Sequence, residues 1–166
     1  MNISKSLKAA FFVGLTLLSC TASAQRLFDV QDLMQLFTIR NEEALDKALN
    51  QFANWYYISS EQKPNGDQVD LWMLERPNHE VIGVVLRLTH PQEQSPKHNQ
   101  LQLHLKNEDE FVRLLNQARD LGFGKQADKA VSGSVATSYY QNDTYQLVAQ
   151  VSATWKLPFR LMLTLR

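Results

Sequence analysis

The feature that most constrains this chain is a stretch that recurs sixty-six positions on: residues 41–51 read NEEALDKALNQ and residues 107–117 read NEDEFVRLLNQ. Each stretch has the marks of a helix start. Asn41 and Asn107 carry a side-chain oxygen that can accept from a free N–H of the first helical turn, and the acids that follow suit the positive end of the helix dipole. Asn107 with Glu110 also has capping-box spacing. Apolar residues then recur at helical spacing, as Leu45, Ala48, Leu49 and Phe52 in one stretch and Phe111, Leu114, Leu115, Ala118 and Leu121 in the other. Gly122 provides the left-handed stop behind the second helix. A shorter helix is predicted over about Val30 to Phe37, capped by Asp29.

After each helix the apolar period changes from 3.6 to 2. VDLWMLER and VIGVVLRLT flank the turn PNHE, and LQLHL follows a loop; SVATSYY and YQLVAQVSATW flank QNDT, and FRLMLTL follows a shorter connection. The expected fold is α+β: two tandem α-β-β-β repeats, about 41–105 and 107–165, forming one antiparallel sheet of about six strands with helices on one face. The other face is then open. In the last strands Leu101, Leu103 and Leu105 correspond to Leu161, Leu163 and Leu165, and Gln102, His104, Met162 and Thr164 point the opposite way. The middle strands of the first repeat are apolar on both sides, which puts Trp72 forward as an open-face residue alongside Met162. In the run Trp55, Tyr56, Tyr57, alternation sends Tyr56 to the side opposite its neighbours. Trp72, Met162 and Tyr56 are therefore the candidate partner contacts, with core packing as the competing reading of Trp72.

The N-terminus bounds where the protein works. MNISKSLK supplies two lysines, AAFFVGLTLLSC an apolar run too short to span a bilayer, and TASAQ a small-x-small cleavage pattern. A signal peptide over 1–24 is expected, cleaved after Ala24, leaving a single domain over 25–166 that is periplasmic or secreted. The alternative is a lipoprotein anchored through Cys20 of LLSC. Removing Lys5 and Lys8 leaves 15 basic against 17 acidic residues, so no basic footprint for nucleic acid is present. Cys20 is the one cysteine and lies in the signal region, so the mature chain has no disulfide and no thiol nucleophile.

No phosphate-binding glycine loop, nucleophile elbow or HExxH occurs, and neither catalytic residues nor a cofactor are expected. His90, Glu93, His98 and His104 are the best metal candidates, but their spacing matches no ligand signature and solvated side chains account for them. Glu42, Glu43, Glu108, Asp109 and Glu110 sit where helix starts favour acids.

In the order of its elements the chain resembles the β-lactamase inhibitor protein family, whose two repeats form a concave sheet that grips another protein. Repeats of that family are four-stranded with a disulfide each, whereas three strands per copy are read here and no cysteine can pair. The resemblance implies fold and protein binding, and no site residue. The expected function is an exported protein-binding module of the bacterial envelope or exterior, an inhibitor or accessory subunit rather than an enzyme. The alternative is a carrier or sensor of a small apolar ligand held between sheet and helices, which requires a cavity there.

Overall fold

The computed structural model describes residues 27–90, 99–126, 129–130 and 134–166, with side chains described except at 129–130. The signal region lies outside these residues, as do Glu93 and His98.

Among the described residues three helices form where the caps lie. In α1 (Val30–Thr38) the Asp29 carboxylate accepts from the Asp32 N–H at 2.8 Å and Asp32 accepts from the Asp29 N–H at 2.7 Å, which secures two N–H groups that a helix start leaves unpaired. In α2 (Glu42–Leu49) the Asn41 side chain accepts from the Ala44 N–H at 3.0 Å. In α3 (Glu108–Asp120) Asn107 accepts from Asp109 and Glu110. The Glu110 carboxylate turns instead to Arg113, at 2.6 Å. Gly122 ends α3 at φ 81°, letting the Phe123 N–H reach the Ala118 carbonyl at 3.0 Å. Each helix buries one stripe: Val30, Leu33 and Leu36 in α1, Leu45 and Leu49 in α2, Phe111, Leu114 and Ala118 in α3.

The strands are β1 (Tyr56–Gln62), β2 (Gln68–Glu75), β3 (Val81–Thr89), β4 (Gln100–Leu105), β5 (Gly124–Lys125), β6 (Lys129–Ala130), β7 (Val135–Gln141), β8 (Tyr145–Ser152) and β9 (Phe159–Leu165). They form one antiparallel sheet in the order β1-β2-β3-β4-β9-β8-β7-β5, with β6 also paired to β7. Among the described residues the expected six strands become nine. The addition in the first half is β1, an edge strand exposed along its whole length, whose polar residues Ser59 to Gln62 give no alternation to read. In the second half β5 and β6 are two residues each, too short for a periodic signal. The second-half strand read through Trp155 stops at Ser152, and Trp155 lies in the β8–β9 turn.

Register assigns the faces. Trp72, Val85, Leu103, Leu161 and Ala149 are successive cross-strand partners, all buried within one core cluster that includes the helix stripes. Trp72 therefore lies beneath the helices and is 0% exposed. Of the two readings of Trp72 the open-face one is corrected and core packing holds: its indole Nε1 donates to the Asp46 carboxylate of α2 at 3.1 Å, and the Tyr57 ring lies 5.4 Å from it. Trp55 lies against Gly83, where an added Cβ would come within 2.9 Å of its ring, and Phe28 stacks on Trp55 with ring centroids 5.4 Å apart. Only glycine at 83 gives this close approach.

Candidate functional site

The opposite alternation gives a face with no helix on it among the described residues. One row runs Leu71, Leu86, Gln102, Met162, Val148 and Tyr139 across six strands. The next runs Met73, Val84, His104, Arg160, Gln150 and Thr137. The β2–β3 side is thus apolar, and the β4–β9–β8 side is rich in amides with one guanidinium. Most of these side chains are half-buried by their neighbours, and Val148 is only 8% exposed.

Met162 sits in the middle of this face, as alternation predicts. Tyr56 is also on it, beside Met73 on the edge strand and 37% exposed. Its hydroxyl bonds to the Glu75 carboxylate, and that bond, with some desolvation, pushes the phenol up to about 12, so Tyr56 stays neutral and is a hydrogen-bonding rather than an acid–base group. Trp55 and Tyr57 go to the helix side, opposite Tyr56. Of the three candidate contacts the structure therefore places Met162 and Tyr56 on one face, with three strands between theirs, and Trp72 on the other.

Three residues that sequence reading did not single out form the polar centre. Arg160 of β9 lies with its guanidinium carbon 4.1 Å from the Trp155 ring centroid, within cation–π range. Its Nη1 donates to the Gln150 Oε1 at 3.4 Å, and the Gln150 amide nitrogen is oriented by Thr137 Oγ1, also at 3.4 Å. The Arg160 Nε is buried without a hydrogen-bond partner among the described residues. His104 is the direct cross-strand neighbour of Arg160, and its Nε2 lies 3.3 Å from the Gln102 carbonyl oxygen. Rather than facing water as a solvated side chain, His104 is desolvated, and burial together with the Arg160 charge lowers its pKa to about 4. It is neutral at pH 7. A signal for Arg160 was present: in FRLMLTL the alternation that exposes Met162 places Arg160 on the same face.

The remaining charged candidates have structural partners of their own. The buried pair Asp70 and Arg87 is saturated: Arg87 donates to Asp70 at 2.6 and 2.9 Å and to the Ile39 and Arg40 carbonyls between α1 and α2. His90 lies 2.5 Å from Asp67, and no group of three metal-ligating side chains occurs among the described residues. A cleft of about 790 Å³ opens on the helix side between Leu27, Leu74, Ile82 and the charged Arg76, Lys106 and Glu110. Among the described residues no helix is long and apolar enough to cross a membrane. No family model matches the chain, and no curated protein or solved structure gives a significant match.

Proposed function

We propose that the protein is an exported, non-catalytic binding module of the bacterial envelope or exterior, which holds another protein against the uncovered face of its sheet, as an inhibitor or accessory subunit would. The observation that carries this is the arrangement of Leu71, Leu86, Met73 and Val84 beside Met162 and Arg160 on a face that no described helix covers. Apolar rows next to a cation suit a protein surface with apolar side chains around an acid, because such a partner buries area and complements the charge. The test is photo-crosslinking in the cells that make the protein, with the probe residue placed at Leu86 or Met162 and, for comparison, at exposed Val112 of α3. A single protein adduct is expected from the first two positions and none from the third. Equal yields from all three, or none from the sheet, would remove this reading.

The strand order supports duplication of one α-β-β-β-β unit. Counted inward from either edge, four strand positions lead to the β4–β9 seam, with β5 and β6 together in the place that β1 holds opposite. Helices α2 and α3 precede corresponding strands, each capped by asparagine. A count of four strands per unit also brings the chain nearer the β-lactamase inhibitor protein arrangement it resembles, while the disulfides of that family still have no counterpart. Aligned homologues test the duplication: the two halves should resemble each other more than unrelated helix-and-strand segments do, and equal resemblance to such segments would end it.

The cleft on the helix side keeps a second reading open, that of a small apolar ligand carried there. Lys106 and Arg76, both paired with Glu80, line or flank it, which makes it less apolar than such a ligand favours.

A further inference from the structure

Six other lysines and arginines of the described residues, Lys47, Lys63, Arg76, Arg87, Lys106 and Arg113, pair with a carboxylate. Arg160 does not. Its polar contact is an amide oxygen, which orients the guanidinium and leaves its charge uncompensated, and its Nε has no acceptor among the described residues. A desolvated charge of this kind is unfavourable in the isolated protein and gains most when a carboxylate arrives, since a charge-assisted bond is then added to a single long contact with a neutral amide. Trp155 covers one surface of the guanidinium, its ring centroid 4.1 Å from the guanidinium carbon, and so restricts where the group can turn. The neighbouring imidazole of His104 adds no positive charge at neutral pH. A single positive charge favours a monoanion over a phosphate. Around it stand Met162 two residues along β9, Val148 opposite Met162, and Val84 on the far side of His104.

We propose that Arg160, held by Trp155 and Gln150, is the carboxylate anchor of the open sheet face and takes an acidic side chain of the bound protein, with that side chain's apolar neighbours resting on Met162 and Val148. This rests on the protein-binding reading above and supplies the chemistry of its partner. Gln150, oriented by Thr137, is a positioning residue.

The experiment titrates the protein with the peptides Ac-Leu-Glu-Leu-NH2 and Ac-Leu-Gln-Leu-NH2 and with acetate, following the Arg160 Nε–H and Trp155 indole N–H resonances by NMR. The expected result is that the glutamate peptide binds about tenfold more tightly than the glutamine peptide, and more tightly than acetate. Arg160→Gln should bring the ratio of the two peptides to about one, and Arg160→Lys should restore part of it. An unchanged pattern of backbone resonances in both variants shows that the fold is kept. Equal binding of the two peptides, or no shift with any probe, overturns the anchor. Acetate binding as tightly as the glutamate peptide also overturns it, in favour of a free small carboxylate. Crosslinking from Leu86 separates this from the parent reading: adducts that persist undiminished in Arg160→Gln sink the anchor alone, whereas their absence from the unsubstituted protein removes the protein-binding reading whatever the peptides do.

Discussion

Replacing Arg87 with methionine should cost about 3–5 kcal/mol at pH 7, because it leaves Asp70 charged and enclosed with no cation beside it. Asp70 is 0% exposed, and the Arg87 side chain that neutralises it also donates to the Ile39 and Arg40 carbonyls, so the same substitution loosens the α1–α2 connection from the sheet. Methionine keeps most of the volume, so little of the loss is a cavity. The double variant Asp70→Leu with Arg87→Met should recover most of it, since removing both charges also removes the uncompensated burial. The pair predicts a pH dependence as well. Burial opposes ionisation of Asp70, but the hydrogen bonds donated by Gln68, Arg87 and Ser60 outweigh it and hold the carboxyl below its ordinary value. A depressed carboxyl contributes stability that is fully present above the unfolded value, about 4, and is lost as pH falls through the native one. Urea unfolding at pH 7 and in acid measures both. A single-variant loss under about 1 kcal/mol at pH 7, against the range above, would refute the account.

Trp72→Ala should cost about 3–5 kcal/mol, the range for truncating a large aromatic in a packed core. For a chain of this size that corresponds to a fall in Tm of roughly 6–20 °C. Trp72→Phe should lie between, because it keeps most of the packing and gives up the bond to Asp46, worth about 1–3 kcal/mol with a charged acceptor. Leu86→Ala, on the other face and half-buried, should cost clearly less than Trp72→Ala. Thermal unfolding of the three variants decides the matter, and a small shift for Trp72→Ala would mean that this ring is not what the helices pack against.

The difference between Trp72 and Leu86 marks where sequence reading stops. Caps and stripes are local, so α1, α2 and α3 could be located from Asp29, Asn41 and Asn107 and the apolar spacing that follows each. The leucines of β4 and β9 could be assigned a face because Gln102, His104, Met162 and Thr164 alternate with them. In β2 and β3 both alternations are apolar, so period alone cannot choose the side of Trp72. What chooses is the register that brings it between Val85 and the Asp46 carboxylate, a pairing 26 residues apart along the chain. The centre of the candidate site was missed for a different reason: Gln150, Trp155 and Arg160 lie within one β8–β9 hairpin and read singly as ordinary surface residues, and only the pairing of β4 with β9 sets His104 beside them. Edge strand β1 is missing from the strands counted per repeat, although alternation reads across Tyr56 and Tyr57, because the rest of it is exposed on both sides and needs no apolar pattern.

The seam between β4 and β9 also bears on the risk of aggregation. QLQLHL and FRLMLTL are short, leucine-rich and of high strand propensity, with one formal charge between them, which is the composition that forms cross-chain zippers when it lies on an edge. Both are interior: β4 is hydrogen-bonded to β3 and β9, and β9 to β4 and β8. The edges are left to β1, with an irregular register after Tyr57 and an ion pair between Glu61 and Lys63, and to the two-residue strands β5 and β6. The chain segments most able to template an aggregate are thus the ones whose backbone groups are satisfied on both sides, and they become available only if the two halves of the sheet part.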